Sequence, residues 1–215
     1  MTKNSDDRVL KLLENSGSIF YGHFVFTSGK HAPRYIDKMA LFAHPTLASQ
    51  MGKLFAEKFA NDNIEVVVAP ALGGIIISTW VAYHLSKLTN ADVLGIYTEK
   101  TPEKAQIFTR GYDKLVKGKR VLVVEDNVTT GGSVRRVVDA VNAAGGKIVE
   151  VCSMANLNPK PDSITDEIIG AKYSSLTDLP VVLYGEADCP LCKDNVPIDT
   201  EHGHGKKFLE ARKGK

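Results

Sequence analysis

The chain has 215 residues, 43% hydrophobic and 24% charged, with a formal net charge of +2. This length and composition predict one folded domain that buries its core without disulfide or metal staples, and they exclude a disordered chain. Near-neutrality excludes broad binding to a nucleic-acid backbone, but not a small anion held at a local positive site.

The first helix is predicted to be capped within Ser5, Asp6 and Asp7, with Val9, Leu10, Leu12 and Leu13 as its apolar face and an end near Gly17. Residues 17–38, rich in aromatics, glycine and β-branched types, predict short strands and turns. Pro45 starts a second helix, with Leu47, Met51, Leu54, Phe55 and Phe59 spaced by three and four. Residues 64–69 form a compact apolar run, as in a strand covered on both faces. Helix is predicted over 74–88, strand over 92–97, strand over 120–124, helix over 134–144, closed by Gly145 and Gly146, and strand over 148–154. A fifth strand is expected over 181–184. Residues 206–215, polar and basic, read as a solvated tail.

Strands alternating with helices predict an α/β fold with a doubly wound, mainly parallel sheet. The run 66–83 carries no charge, but Pro70, Gly73 and Gly74 divide it into strand, loop and helix, so it is not read as a membrane span. Residues 1–8 have no apolar stretch after them and read as no secretory signal. Cysteines 152, 189 and 192 are too few for a disulfide framework, so a reducing, cytoplasmic setting is expected.

The segment richest in chemistry runs from Arg120 to Ser133. An apolar strand meets two adjacent carboxylates, Glu125 and Asp126. Asn127 and Val128 follow, then the turn Thr129-Thr130-Gly131-Gly132-Ser133, then a helix. A helix's first turn leaves N–H groups unpaired and carries partial positive charge. The two glycines let that backbone approach a ligand, and the hydroxyls add donors. This is a phosphate cradle at the carboxyl edge of a sheet. It is neither GxxxxGK(S/T) nor GxGxxG. Two carboxylates beside a phosphate site make sense as hydrogen-bond acceptors for a sugar's hydroxyls, so the layout fits a ribose 5-phosphate.

The stretch Val123-Val-Glu-Asp-Asn-Val-Thr-Thr-Gly-Gly-Ser133 resembles the phosphoribosyl pyrophosphate (PRPP) signature of type I phosphoribosyltransferases. The likeness extends over about residues 18–198 and is closest to the orotate phosphoribosyltransferase group. It implies one domain over 1–215, with a core at about 45–184 and a small hood built from about 1–40 and 185–205. It also implies a cytoplasmic homodimer with a shared active site, acting on PRPP and orotate, with no nucleic-acid or membrane partner. Mg2+ would enter as a cofactor bound through PRPP and not through protein side chains.

By the same resemblance, residues 125–133 bind PRPP. So do Leu72 and Gly73, in a loop similar to the family's pyrophosphate loop. Lys100, Lys104 and Arg110 lie in a segment similar to its mobile catalytic loop. Lys100, Arg110 and Asp126 would be catalytic. Lys30, Tyr35, Ile36 and Thr129 would meet the base. The chain departs from the common pattern at several positions. Gly73 and Thr27 stand where many relatives have lysine, Glu99 where arginine is frequent, and Leu157 where many have the arginine that holds orotate; Lys30, Arg34 and Lys38 are the candidate replacements. The residues by themselves leave open another base, purine or uracil, or a PRPP-binding regulator without chemistry. Cys189 and Cys192 have metal-ligand spacing, with His202 and His204 downstream. A single CxxC, however, reads as packed free thiols.

Overall fold

Asp6 caps α1 (Asp7–Asn15), its carboxylate accepting the Arg8 N–H, in the computed structural model, which describes residues 6–213. Val9, Leu12 and Leu13 are buried, whereas Leu10 is only partly covered; Ser5 lies outside the described residues. β1 (Ile19–Val25) and β2 (His31–Ile36) form an antiparallel two-stranded sheet. Asp37 accepts the Met39 N–H and starts a short helix, α2 (Lys38–Phe42), which the apolar pattern did not reveal. α3 (Pro45–Phe59) buries Met51, Leu54, Phe55 and Phe59 on one face, each large side chain contributing roughly 1.5–3 kcal/mol.

β3 (Val66–Pro70) is buried throughout and leads into α4 (Gly73–Thr89). β4 (Leu94–Lys100) turns back through β5 (Gln106–Ile107), and α5 (Tyr112–Val116) follows. Next come β6 (Arg120–Val128), α6 (Gly132–Ala143), β7 (Lys147–Asn156), the single turn α7 (Asp166–Ile169) and β8 (Tyr173–Asp178). The chain ends with α8 (Pro190–Lys193) and α9 (Gly205–Lys213).

The main sheet has the order β5-β4-β3-β6-β7-β8, parallel except for β5. Successive side chains of a strand point to opposite faces. Val67, Ala69, Leu122 and Val124 therefore join the core under α1, α3 and α4. Their neighbours Val66, Val68, Val121 and Val123 join the core under α6, with Val137 and Val141. This is the expected doubly wound arrangement. Among the described residues no helix is long and apolar enough to cross a membrane.

Two sequence expectations need correction. Residues 181–184 are not a strand of the main sheet; Tyr184 bridges His31 instead. The outer strand is β8, hidden because Ser175, Thr177 and Asp178 are polar although buried. Ser175 Oγ donates to Asp178 Oδ1 at 2.7 Å, so part of that polarity is satisfied inside the strand. The expected solvated tail is also structured as far as Lys213. It forms α9, whose Phe208 packs edge-on against His31 with ring centroids 5.1 Å apart.

The hairpin and the C-terminal segment knit into a second layer. The Asp199 N–H donates to the His23 carbonyl at 2.8 Å, and the His204 N–H to the Val25 carbonyl at 2.8 Å. The C-terminal part of this hood runs beyond residue 205 into α9.

Candidate active site at the carboxyl edge of the sheet

Because β3, β4, β6 and β7 run parallel, the loops after them gather at one edge. The turn between β6 and α6 offers an uncapped helix start at this edge. Gly131 precedes α6 with φ +79°, and no side chain caps that helix. A β-carbon at 131 would stand 2.7 Å from Ile169 Cδ1, so both backbone conformation and space require glycine. A cavity of about 180 Å3 beside this helix start is lined by Glu125 and by 127–134, and so brings together Asn127, Val128, Thr129, Thr130, Gly131, Gly132 and Ser133. The Thr129 carbonyl accepts from Asn158 Nδ2 at 2.6 Å, which ties the turn to the loop after β7.

The acidic pair belongs to β6 itself, which continues four residues beyond the apolar run that ends at 124. Glu125 and Asp126 are 6% and 3% exposed. Burial, and after it the adjacent Asp126, pushes Glu125 up to about 8. At neutral pH its carboxyl therefore carries a proton and can donate as well as accept. Asp126 accepts the Asn127 N–H at 2.6 Å and pairs with Lys38, Nζ to Oδ2, at 2.7 Å. Burial by itself would lower Lys38, but Asp126, with smaller contributions from Glu125 and Tyr35, outweighs it and holds the ammonium above the usual lysine range.

Leu72 ends the loop after β3 and Gly73 begins α4, which also starts without a side-chain cap. Leu72 is 80% exposed. A β-carbon at Gly73 would lie 2.8 Å from Asp126 Oδ2 and 3.7 Å from Lys38 Cε. The absence of a side chain at 73 thus leaves room for the Lys38–Asp126 pair, and the ammonium beside this loop comes from α2.

Lys100, Lys104 and Arg110 lie on and after the β4–β5 arm at the sheet margin, all exposed. Lys100 pairs in register with Gln106, and Lys104 occupies the turn between the two strands with φ +67°. Arg110 Nε lies 3.4 Å from Glu99 Oε1, which also accepts from Thr109 Oγ1 at 2.5 Å. Among the described residues neither Lys100 nor Lys104 has an ion-pair partner, and neither lines the cavity beside Glu125.

A second cavity, of about 350 Å3, opens between hood and core. Tyr35, Ile36, Met39 and Leu157 give it flat and apolar walls, and Lys38, Asn127 and His204 give it polar groups. His204 Nε2 lies 2.8 Å from Thr27 Oγ1. Tyr35 and Ile36, the expected base-binding residues, both line this cavity. Lys30 does not line this cavity; it is exposed in the hairpin turn. Thr129 lines the phosphate-sized cavity instead. Arg34 Nη2 donates to the carbonyls of Leu179 and Pro180 at 3.2 and 3.0 Å, which leaves Lys38 as the lining cation among the three candidates. Met39 had no sequence signal and His204 stood out only as a histidine downstream of the cysteine pair, because only the packing of α2 and of the C-terminal segment brings them to this wall.

Comparisons with known proteins identify the family. The sequence matches the phosphoribosyl transferase domain family over residues 38–172. It is 36% identical over 191 residues to the orotate phosphoribosyltransferase of Pelotomaculum thermopropionicum, covering 89% of this chain and 94% of that protein. Against the orotate phosphoribosyltransferase of Caldanaerobacter subterraneus subsp. tengcongensis it is 34% identical over 192 residues, with the same coverage of each chain. Among solved structures, Mycobacterium tuberculosis H37Rv orotate phosphoribosyltransferase in complex with inorganic phosphate superposes with a TM-score of 0.60 at 26% identity, covering 81% of this chain and 97% of that one.

Proposed function

The chain belongs to the phosphoribosyl transferase domain family, in the orotate phosphoribosyltransferase group, and from that premise we propose that it transfers the 5-phosphoribosyl group of PRPP to orotate, giving orotidine 5-monophosphate and pyrophosphate. The observation that carries this reading is the uncapped start of α6 beside the buried pair Glu125 and Asp126, one residue away from a flat-walled cavity that Lys38 lines.

In this reading the 5-phosphate accepts hydrogen bonds from the N–H groups and hydroxyls of 129–133. Asp126 accepts from a ribose hydroxyl, and protonated Glu125 donates to one. Orotate lies against Tyr35 and Ile36, with its carboxylate towards Lys38, since a buried anion needs a charged donor. The C1–O bond to pyrophosphate breaks with its electron pair staying on the pyrophosphate oxygen, and a ring nitrogen of orotate bonds to C1 and releases its proton to solvent. Positive charge grows on the ribose and negative charge on the leaving group. Lys100 and Arg110 stabilise the departing pyrophosphate, most strongly at the transition state, with Lys104 as a further cation. Leu72 and Gly73 offer backbone donors to the same group. Closure of the β4–β5 arm would exclude water that could capture the sugar.

Mg2+ carried on the oxygens of PRPP would neutralise the leaving group. Side-chain ligation does not suit Asp126, whose oxygens meet Lys38 and the Asn127 N–H, or Glu125, which holds its proton. A homodimer in which the exposed arm reaches the neighbouring subunit's site fits the position of Lys100 at the sheet margin.

The deciding experiment compares PRPP binding, with Mg2+, in the wild type and in Asp126→Ala. The expected result is at least about a tenfold loss, the equivalent of roughly 1.4 kcal/mol. Equal affinity would remove the site assignment. Turnover with orotate, against uracil and purines as separate substrates, then decides the base.

A further inference from the structure

Far from the acidic pair in sequence, two histidines of the hairpin meet the two cysteines of the C-terminal segment. The ligating atoms of His23, His31, Cys189 and Cys192 all lie within 4.8 Å of one another. His202 and His204, which follow the cysteine pair in sequence, are engaged elsewhere. His202 stacks on Phe20 with ring centroids 4.1 Å apart, and His204 meets Thr27.

Cys192 Sγ is 3.4 Å from His31 Nδ1 and 3.7 Å from His23 Nε2, and Cys189 Sγ is 3.7 Å from His23 Nε2. Bonds of about 2.3 Å to sulfur and 2.0–2.1 Å to nitrogen around a tetrahedral ion predict ligand separations of roughly 3.3–3.8 Å. These three sulfur–nitrogen separations fall inside that range, and the remaining ligand pairs lie within 4.8 Å. The two nitrogens are 2.7 Å apart and would part by roughly half an ångström as an ion entered.

The tautomers strengthen the case. His23 Nδ1 is 2.7 Å from the Val196 carbonyl, which can only accept. That nitrogen therefore carries the proton, and Nε2 turns a lone pair to the cluster. His31 is 0% exposed, and its Nε2 has no hydrogen-bond partner. If His31 is protonated at Nε2, two lone pairs face each other across 2.7 Å. If it is protonated at Nδ1, a buried acceptor has no donor. A cation bound to His23 Nε2 and His31 Nδ1 gives both facing lone pairs a partner, with the His31 proton on Nε2.

We propose that His23, His31, Cys189 and Cys192 form a tetrahedral Cys2His2 zinc site that bolts the hairpin to the C-terminal segment. Two thiol protons leave to solvent on binding, and two thiolates balance the divalent ion. Four protein ligands leave no open position, so the site is structural and not hydrolytic. Cys192 lines a surface cavity of about 610 Å3 together with Asn195, Val196 and Arg212, which gives the ion an entry path. The hairpin that zinc would fix also carries Tyr35 and Ile36, the wall of the second cavity. The third cysteine is different in kind: Cys152 is wholly buried, and burial pushes its thiol up to about 12.

The test uses the full chain purified under reducing conditions, supplied with Zn2+ and dialysed against a weak chelator. Metal analysis should give about one zinc per chain, in keeping with a four-ligand site. A strong chelator should release it, lower the melting temperature and expose two further thiols to a thiol reagent. Replacing zinc with Co2+ should give the intense visible bands of tetrahedral thiolate coordination. Cys192→Ser should lose the metal, and Cys152→Ser should keep it. The proposal is overturned by wild-type protein that retains less than about a tenth of an equivalent after this loading, a measurement that needs no variant to fold. Full zinc retention in a folded Cys192→Ser protein would equally overturn it.

Discussion

Lys38 Nζ stands 2.7 Å from Asp126 Oδ2, joining the first residue of α2 to the buried acidic pair on the central strand β6. The contact couples the two cavities, because Lys38 lines the flat-walled one while Asp126 precedes the phosphate-sized one. Lys38→Met should raise KM for orotate about 10- to 100-fold, since a hydrogen bond to a charged group contributes roughly 1.5–3 kcal/mol. KM for PRPP should rise less. Steady-state kinetics with each substrate varied in turn checks this. A raised PRPP KM with an unchanged orotate KM would make Lys38 a support for Asp126 alone.

Glu125 gives the protein a pH signature. The folded chain holds this proton up to about 8, against 4.5 for the ordinary carboxyl. Folding therefore binds a proton across that window, and stability from this group is fully present below about 4.5 and falls as pH rises through about 8. Glu125→Gln keeps the shape and removes the titration. Its melting temperature relative to the wild type should improve between about pH 5 and about pH 9, by roughly 2–4 °C for each kcal/mol involved. The same difference at both pH values would show that Glu125 titrates normally.

Gly131 is required twice over, by its φ of +79° and by the 2.7 Å that would separate a β-carbon from Ile169 Cδ1. Gly131→Ala should cost about 1–3 kcal/mol of stability. It should also weaken PRPP binding at least about tenfold, because the first-turn N–H groups lose their aim. Thermal melts and calorimetric titration measure the two effects. A folded variant with wild-type PRPP affinity would mean that the turn does not grip the phosphate.

Lys100 is exposed at the end of β4 and should act only when the arm closes. Lys100→Ala is expected to lower kcat about 10²–10³-fold, the scale on which a donor aimed at developing negative charge acts. Its KM for PRPP should change by less than about threefold. A large KM effect with unchanged kcat would assign Lys100 to ground-state binding.

Much of the site was legible in the chain because it is local. Residues 125–133 are contiguous, so one strand, one turn and one helix start place them, and Gly131 and Gly132 announce the close backbone approach. The continuous apolar runs of 66–69 and 121–124 likewise determine a strand pair covered on both faces. Tertiary structure decided what depends on distant partners. Lys38 was one of three equivalent cations until Arg34 met the carbonyls of Leu179 and Pro180 and Lys30 stayed in the hairpin turn. β8 was invisible because its buried hydroxyls and carboxylate are satisfied by hydrogen bonds that no hydropathy pattern records. His23 and Cys189 are 166 positions apart, and only the closing of the C-terminal segment over the hairpin brings them together. Periodicity and spacing report what lies within one element, whereas a contact across the chain exists only once the elements have packed.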